Sequence, residues 1–372
     1  MGSIGSSRAD LRILAENTGV SATDIGRIIA YFGTLTSKGA TDAKTYSDLV
    51  GASVADLEAL RVACRDAISE ASVPPRFPAH VQIQTIAGCN ASCVMCAMSV
   101  PSIRRMQRGA MSTELFGHIV EECAASPECE EIALYLQNEP LLDRGLASRI
   151  TTIKEASKGR LRVRIVTNGS LLSTPVIDDL IAAGLDSIAI SLNAHRPETY
   201  RRTMGGLDYA ETVRNIELLI DKAPPSLFVS LTFIVISGNE DEIKEAISYW
   251  SERKVYCGAY GVNTHGGALV NFDSLQPRNT AVREKECYLP FESIGILATG
   301  DVILCCTDWQ RLSLSGSLSS GTIKSIWHAP AVSQFRREAL DRLFHHPMCA
   351  SCLGQTRLLE NLLYESGKGA AN

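Results

Sequence analysis

The 372-residue chain has little that would direct it to a membrane or to nucleic acid. No apolar run approaches the ~18 residues that a membrane span needs. Its 36 Lys and Arg residues are outnumbered by 41 Asp and Glu residues, and the resulting net charge of −5 argues against a general binder of nucleic acid or anionic membranes. The N-terminal residues lack an apolar signal-peptide stretch, so we expect a cytoplasmic protein.

Against this background the twelve cysteines are the conspicuous feature of the composition. Disulfides are rare in the reducing cytoplasm. In a chain expected there, cysteines in close spacing are more often metal ligands or catalytic thiols. The cysteines therefore direct the search for function.

Residues 1–75 are predicted to form a helical N-terminal domain. Apolar residues recur there at intervals of three and four, from Leu11 to Phe32 and again from Leu57 to Ile68. The segment faintly resembles a helix-turn-helix, but it lacks a basic face, which disfavours DNA binding. The proline-rich residues 73–78 end this region as a linker.

From residue 80 to about 260, short apolar runs alternate with amphipathic helical patterns. The predicted strands are Val81–Ile86, Ile132–Leu136, Leu161–Thr167, Ser187–Leu192, Leu227–Ile236 and Val255–Tyr260, and the predicted helices lie near 113–125, 145–157, 174–184, 209–222 and 239–252. Such alternation predicts a parallel α/β sheet. Six units are too few for a closed eight-fold barrel, so residues 76–270 are expected to form an open, partial (β/α)6 barrel with its chemistry at the carboxyl ends of the strands.

Residues 271–372 depart from this alternation and are predicted to form a small α+β module. A hairpin is expected from Phe291–Leu297 and Asp301–Cys305, with its turn at Thr299 and Gly300. A Ser/Gly-rich loop and two short helices near 322–345 follow.

The first cysteine cluster, Cys89, Cys93 and Cys96, lies directly after the first predicted strand. Three thiolates on one short loop can converge on a single metal centre. Structural zinc is usually closed by four ligands, and no fourth Cys or His lies nearby in the sequence. Three cysteines suit a 4Fe–4S cluster with one iron left open, although zinc or buried thiols remain alternatives.

The spacing Cx3CxΦC, with Met95 as the apolar residue, at the top of the first strand of a partial barrel resembles the signature of the radical S-adenosylmethionine (radical SAM) enzymes. The resemblance extends over residues 80–270. It implies that SAM chelates the open iron and that the reduced cluster cleaves SAM to a 5′-deoxyadenosyl radical. That radical would abstract hydrogen from an unactivated carbon.

The same resemblance implies a set of SAM contacts at successive strand ends. The segment Gln137-Asn138-Glu139-Pro140 takes the place of the family's Gly-Gly-Glu-Pro motif, in which the carboxylate of Glu139 would accept from the SAM ammonium. The remaining predicted contacts are Asn168, Ser191 and Asn193 for ribose and carboxylate, Arg201 or Arg202 for the carboxylate, and Val235 for adenine. Each of these residues also has an ordinary structural interpretation, as a turn, a solvated helix face or core.

A second set of cysteines lies in the C-terminal module: Cys287, Cys305, Cys349 and Cys352. The hairpin is expected to bring the first two together, and the CxxC adds two more thiolates. A four-thiolate zinc site explains the same spacing. The pattern also resembles the SPASM/Twitch modules of radical SAM enzymes, specifically the shorter Twitch form with one auxiliary 4Fe–4S cluster. Cys306 could replace Cys305 as a ligand.

Two residues near the sixth predicted strand have candidate roles. Cys257 could point into the barrel mouth and give a hydrogen atom to a substrate radical, or it could be a small buried core residue. His265, in the following loop, could line the substrate site or be a satisfied loop histidine. Cys64, Cys123 and Cys129 fall on or near predicted helices and are assigned structural roles.

The resemblance implies a reaction class more firmly than a substrate. We expect hydrogen abstraction from a hydroxylated carbon of a sugar or aminocyclitol in natural-product biosynthesis, followed by oxidation or epimerisation. Modification of a ribosomally made peptide is the alternative, and a non-catalytic zinc-binding regulatory protein is a remote one. An electron donor such as flavodoxin or ferredoxin is the implied protein partner, with no nucleic acid and no membrane.

Overall fold

The computed structural model describes residues 76–277, 287, 289–340, 343–352 and 357–360. The predicted helical domain of residues 1–75 lies outside them. The strands of the described residues are β1 (His80–Ile83), β2 (Ser92–Cys93), β3 (Glu131–Ala133), β4 (Arg162–Thr167), β5 (Ser187–Ser191), β6 (Met204–Gly205), β7 (Phe228–Val235), β8 (Tyr256–Gly261), β9 (Ser293–Ile296), β10 (Asp301–Ile303), β11 (Leu314–Ser317) and β12 (Arg357–Glu360).

Helices connect most of these strands. They are α1 (Pro101–Met106), α2 (Thr113–Ala125), α3 (Leu146–Ser157), α4 (Thr174–Ala182), α5 (Pro197–Thr203), α6 (Tyr209–Lys222), α7 (Glu240–Glu252), α8 (Phe272–Leu275), α9 (Leu289–Glu292), α10 (Ile323–Trp327), α11 (Pro330–Leu340) and α12 (Pro347–Ala350), with short 3₁₀ turns at Ala97–Ser99 and Pro140–Leu142. Among the described residues, no helix combines the length and apolar character needed to cross a bilayer.

The six predicted barrel strands form one parallel array in the order β1-β3-β4-β5-β7-β8. A helical crossover follows each of the first five along the chain, which is the connection that parallel neighbours require. The sheet stays open, because β1 and β8 pair with other strands rather than with each other. The prediction of a partial (β/α)6 barrel is confirmed.

Side chains alternate between the two faces of this sheet. On β4, Val163 and Ile165 are fully buried against the helical layer, whereas Arg164 and Val166 are half-buried on the opposite face, which we call the inner face. Because paired residues of parallel strands share a face, the register extends this assignment across the sheet. The half-buried inner face lines an accessible cleft rather than a packed core.

The helices dock through regular caps and apolar stripes. In α6, the Asp208 side chain accepts a hydrogen bond from the Glu211 amide at 2.8 Å, an N-cap that satisfies one of the helix's free donors. Ile216 and Leu219, three residues apart, are buried in the core between helices and sheet. Each such side chain contributes about 1.5–3 kcal/mol by leaving water.

The C-terminal module continues the barrel sheet at both edges. The predicted hairpin is confirmed, since β9 and β10 pair antiparallel, and β11 adds to β10. Strand β9 also pairs parallel with β1, while β12 pairs antiparallel with β8. One ten-stranded sheet therefore carries both cysteine clusters, which brings the module close to the strand ends of the barrel.

Candidate active site

The first cysteine cluster occupies the loop that leaves β1, from Cys89 to Cys96, which we call the cysteine loop. One guanidinium holds it in shape: Arg104 donates to the carbonyls of Met98 at 3.1 Å and Cys89 at 3.4 Å, and to that of Ala91. The same group donates to the hydroxyl of Ser92 at 2.7 Å. A rigid fork of donors thus fixes the loop that carries all three thiols.

The three thiols lie close enough to interact. Burial raises the pKa of Cys93 above its ordinary range, and the thiols of Cys96 and Cys89 raise it further. Burial also raises the pKa of Cys96 to about 11, although an amide donor and Arg104 lower it. Thiols in this setting need a cationic partner to be held as thiolates, which is what iron supplies.

Backbone amides donate to two of the three thiols. The amide of Ala91 donates to the sulfur of Cys89, and that of Met98 to the sulfur of Cys96, each at 3.4 Å. Hydrogen bonds to sulfur are among the contacts that tune iron–sulfur clusters, so these thiols fit the ligands of such a cluster.

The carboxylate of Glu139 lies beside this loop and is 2% exposed. It accepts hydrogen bonds from the Thr167 hydroxyl at 2.6 Å and from the amides of Asn168 at 2.8 Å and Leu141 at 3.1 Å. Burial raises its pKa, and these donors lower it. It forms no ion pair with any described residue. A buried carboxylate without a cation fits the ammonium group of SAM.

The two residues that replace the family's glycines keep the backbone shape of the motif. Gln137 has a φ of 58°, in the left-handed region that favours glycine. Its side chain reaches the C-terminal module, donating to the carbonyl of Cys306 at 2.9 Å and accepting from Arg311. The buried side-chain nitrogen of Asn138 lacks a hydrogen-bond partner among the described residues, which leaves a donor for a ligand.

Asn168 binds the cysteine loop to the end of β4. Its side-chain nitrogen donates to Asn90 at 2.8 Å, and Asn90 in turn donates to the Ser170 hydroxyl at 2.9 Å. The Ser170 hydroxyl closes the circuit by donating to the Asn168 oxygen at 2.6 Å. The predicted SAM contact therefore lies next to the thiols and is also a cross-link.

Ser191 and Asn193 lie at the end of β5. The Ser191 hydroxyl is 3.3 Å from that of Thr232, on the inner face. Asn193, at a φ of 58°, accepts from the Ile234 amide at 2.7 Å and donates to the sulfur of Met204 at 3.1 Å. The sulfur of Met204 is 3.4 Å from that of Cys93, so Met204 connects Asn193 to the cysteine loop.

Arg201 and Arg202 lie near the end of α5 and are exposed. Arg202 donates to the Thr199 hydroxyl at 3.2 Å. The strand that follows this helix, β6, pairs with β2 of the cysteine loop. The structure thus brings their backbone near the thiols and leaves their guanidinium groups outside, and a role in SAM binding stays a prediction.

The structure places the predicted adenine contact in the helix-side core. Val235 is buried on the same face as Phe233, away from the cleft. Its neighbour Ile236 packs instead in a small apolar cluster with Met95 and Leu269. The cluster adjoins the cysteine loop through Met95. Contact of Val235 with a bound adenine stays a prediction.

Cys257 is not directed at the inner face. It pairs in register with Leu231, and both side chains are fully buried against the helices. Burial raises the pKa of the Cys257 thiol to about 12. Its role as a hydrogen-atom donor stays a prediction, and this placement gives it no support.

The second set of cysteines converges in the C-terminal module. Burial raises the pKa of Cys287, and the nearby thiols of Cys305, Cys352 and Cys349 raise it further. Four thiols from three separate segments of the chain therefore lie near one another. Their number matches the four irons of a 4Fe–4S cube, and their role as its ligands stays a prediction.

The adjacent Cys305 and Cys306 differ in character. A hydrogen bond from Cys306 lowers the pKa of Cys305, and the hydroxyl of Thr307, 3.1 Å from the Cys305 sulfur, lowers it further. The same contact raises the pKa of Cys306. These shifts favour Cys305 over Cys306 as the thiolate, and its role as a cluster ligand stays a prediction.

His265 is a satisfied loop histidine that joins the two cysteine sites. Its Nδ1 accepts from the Trp309 indole at 3.1 Å, so its Nε2 carries the proton and donates to the Met95 carbonyl at 2.9 Å. Burial lowers the pKa of His265, which keeps the ring neutral. One imidazole thus links the cysteine loop to the segment that follows Cys305.

Sequence reasoning missed Arg104, Asn90 and Trp309. Arg104 follows the cysteine motif by eight residues, in a helix whose pattern gives no sign of a backbone clamp. Asn90 lies inside the motif, at a position that the cysteine spacing leaves unspecified. The role of Trp309 depends on docking of the module on the barrel, which local patterns do not predict.

Comparison with known families agrees with this geometry. Residues 83–249 match the model of the radical SAM superfamily. This part of the chain is therefore a radical SAM domain. Residues 287–353 match the SPASM iron–sulfur cluster-binding domain, so a SPASM domain follows the radical SAM domain. Radical SAM domains bind SAM and a 4Fe–4S cluster, and SPASM domains bind auxiliary iron–sulfur clusters.

Individual relatives are distant. The SAM-dependent 2-deoxy-scyllo-inosamine dehydrogenase of Niallia circulans is 20% identical over 257 residues, which are 69% of this chain and 85% of that protein. An uncharacterised protein of Methanocaldococcus jannaschii is 28% identical over 183 residues, and the match covers 48% of this chain and only 56% of that protein.

Solved structures share the fold. BtrN in complex with AdoMet and 2-DOIA has a TM-score of 0.54 at 18% identity, covering 74% of this chain and 93% of that one. Streptococcus suis SuiB bound to the precursor peptide SuiA has a TM-score of 0.60 at 13% identity, and the match covers 75% of this chain and 71% of that one.

Proposed function

We propose that the protein is a radical SAM dehydrogenase that oxidises a hydroxylated carbon of a sugar or cyclitol in natural-product biosynthesis. One observation carries this proposal: the two cysteine sites are joined by direct contacts. Gln137 bonds to the Cys306 carbonyl, and His265 bridges Met95 and Trp309. An oxidation that removes two electrons needs a second acceptor near the first site, and a cluster at the second cysteine site would be placed to act as one.

When bound, SAM and the two clusters would supply the difficult chemistry, namely radical abstraction of hydrogen and the transfer of single electrons. The protein holds these groups. Cys89, Cys93 and Cys96 are the proposed ligands of the first cluster, with Glu139 on the SAM ammonium. Asn168 fixes the cysteine loop beside Glu139.

For the C-terminal site we propose a single auxiliary 4Fe–4S cluster. Its ligands would be Cys287, Cys305, Cys349 and Cys352. Four thiolates fill the four irons of a cube, which suits electron transfer rather than substrate ligation. We further propose a cytoplasmic protein whose first cluster is reduced by a flavodoxin or ferredoxin.

Dehydrogenation is favoured over epimerisation by the placement of Cys257. An epimerase needs a hydrogen donor in the cleft, and this thiol faces the helices. The dehydrogenase among the relatives and the BtrN fold support the same choice.

The test is anaerobic turnover with candidate sugars and cyclitols deuterated at each carbinol carbon. We expect SAM-dependent release of 5′-deoxyadenosine with one deuterium and a substrate-derived carbonyl. A Cys257→Ala variant should keep this activity. Absence of SAM cleavage in iron-replete protein would refute radical chemistry, while solvent deuterium in an unoxidised product would indicate epimerisation.

Peptide modification is the second candidate. It is favoured by the similarity in fold to SuiB, which was crystallised with its precursor peptide. The predicted helical residues 1–75 are the segment that would engage a leader peptide. Deleting them should abolish modification of a peptide and leave oxidation of a small sugar unaffected.

A further inference from the structure

The inner face of the barrel carries a cation, Arg164, that forms no ion pair with any of the described residues. Arg164 lies at the middle of β4, level with Ala133 and Ser187 of the neighbouring strands. Its neighbours in sequence, Val163 and Ile165, are fully buried toward the helices, so Arg164 projects into the cleft.

The Arg164 guanidinium makes no hydrogen bond or ion pair with the described residues, although it is only half-exposed. Its one close contact is with a ring, lying 5.7 Å from the ring centroid of Tyr135. Glu131 attracts it from a distance, but the carboxylate of Glu131 pairs with His80 and Arg162, at 3.8 Å each. A partly desolvated guanidinium with five unused donors is costly unless something else binds it.

Two tyrosines stand beside this cation. Tyr135 follows β3, two residues beyond Ala133 and therefore on the inner face, and its hydroxyl has no hydrogen bond to a described residue. The ring of Tyr260, on β8, packs over Gly258, two residues earlier on the same face of the strand. A Cβ built on Gly258 would lie 3.2 Å from this ring. The ring therefore lies along the inner face, within electrostatic reach of Arg164.

The position suits a substrate. Tyr135 also lies close enough to Cys306 for their charges to interact, which places this group beside the auxiliary site. Gln137, two residues beyond Tyr135 on the same face, adjoins Glu139 and the cysteine loop. A molecule bound at Arg164 would therefore lie between the two cysteine sites.

We propose that Arg164, with Tyr135 and Tyr260, binds a carboxylate of the substrate inside the barrel. A planar guanidinium matches the two oxygens of a carboxylate, and tyrosine hydroxyls can donate to them as well. An ammonium group at this position would be repelled. This inference rests on the proposed function and narrows its substrate to an acidic sugar rather than a cationic aminosugar.

Calorimetric titration of the oxidised, SAM-loaded holoenzyme tests this proposal. The probes are D-glucuronate, D-glucose and D-glucosamine, which share a ring and differ in charge. We expect glucuronate to bind at least about tenfold more tightly than glucose, and glucosamine more weakly than glucose. Equal affinities for the three would overturn the proposal.

Variants assign the preference to one side chain. Arg164→Gln should weaken glucuronate binding about 30-fold or more, and Arg164→Lys should restore part of the affinity because it keeps the charge. The matched control is Arg162→Gln, two residues earlier on the same strand, where a more exposed guanidinium already faces Glu131. An unchanged Arg164→Gln variant, or an equal loss in Arg162→Gln, would contradict the proposal. Iron content and the thermal midpoint verify that each variant is folded.

A separate experiment tests whether the bound carboxylate belongs to a sugar or to a peptide. Blocked glycine pentapeptides with a central glutamate or glutamine are titrated in the same way. Tight binding of the glutamate peptide, with no preference for glucuronate over glucose, would overturn the sugar assignment. SAM cleavage by wild-type enzyme without substrate tests the proposed function independently, since it does not depend on Arg164.

Discussion

The two cysteine sites of this protein are built in opposite ways. The first places Cys89, Cys93 and Cys96 on one eight-residue loop, which Arg104 holds through hydrogen bonds to the carbonyls of Cys89 and Ala91 and to the Ser92 hydroxyl. The second draws its four thiols from three separated segments that meet only when the module has folded onto the sheet. A contiguous site depends on local geometry, whereas a dispersed site depends on tertiary structure.

The largest expected effect comes from removing a thiol of the contiguous site. Cys93→Ala should lower SAM cleavage to background, because three ligands are the fewest that hold a cube with one open iron. About four irons per chain should remain if the dispersed site assembles independently. Anaerobic iron analysis and quantification of 5′-deoxyadenosine measure both.

Cys123→Ala is the control for that variant, since Cys123 is a cysteine outside both sites, buried where α2 packs against the core. It should retain all of its iron. Loss of every iron from Cys93→Ala would show that the two sites assemble together, contrary to the contrast drawn above.

Removing a thiol of the dispersed site should separate SAM cleavage from product formation. Cys352→Ala should lose about four irons and the oxidised product. The rate of SAM cleavage, now uncoupled from product formation, should fall by less than about tenfold, because no thiol of the cysteine loop is changed. Cys306→Ala is the comparison, since its neighbour Cys305 has the lowered pKa of a ligand. A Cys306→Ala variant that loses iron as Cys352→Ala does would reverse that assignment.

A smaller effect is expected at the contact between the sites. Trp309→Phe removes the indole donor to His265 and leaves every thiol in place. We expect SAM to bind about 10-fold more weakly, which is the scale of a lost outer hydrogen bond at a metal site, with iron content unchanged. Trp250→Phe is the control, because the Trp250 indole nitrogen is buried without a partner among the described residues. Equal losses of SAM affinity in the two variants would mean that the effect comes from the packing of the indole ring and not from its hydrogen bond to His265.

The same contrast explains what the sequence could predict. The strand–helix alternation predicted six strands and five helices close to their observed bounds, because period-2 and period-3.6 patterns are local. The Cx3CxΦC spacing likewise predicted a shared site for Cys89, Cys93 and Cys96. The hairpin of β9 and β10 was predicted, but its parallel pairing with β1 was not, because it joins residues more than 200 positions apart.

Individual side chains were harder to predict than elements. Cys257 and Val235 lie on strands that were correctly predicted, yet both face the helices. Shifting by one residue along a strand exchanges its faces, and a run apolar on both faces gives no signal for choosing between them. Arg164 is the opposite case, since a lone charge between Val163 and Ile165 marks the inner face in the sequence itself.

The smallest expected effect is a pH dependence at His265. Its pKa in the folded protein is lowered from 6.5 by burial, and protonating Nδ1 would break the bond from Trp309. The unfolded chain therefore takes up this proton first as pH falls. The contribution to stability is fully present above about pH 6.5 and is lost as pH falls toward the lowered pKa of the folded state.

His265→Gln should remove that part of the slope of stability against pH. Thermal midpoints of the anaerobic holoenzyme between about pH 5.8 and 7.5 measure it, with His118→Gln as the control because that side chain is 80% exposed. Wild type and His118→Gln should lose stability in parallel on acidification, and His265→Gln should lose less. Identical slopes in all three would mean that the ring takes up its proton equally in the folded and unfolded chains. Protonation would then not be opposed by the hydrogen bond from Trp309 to Nδ1, and the link between the two sites would reduce to the contact of Gln137 with Cys306.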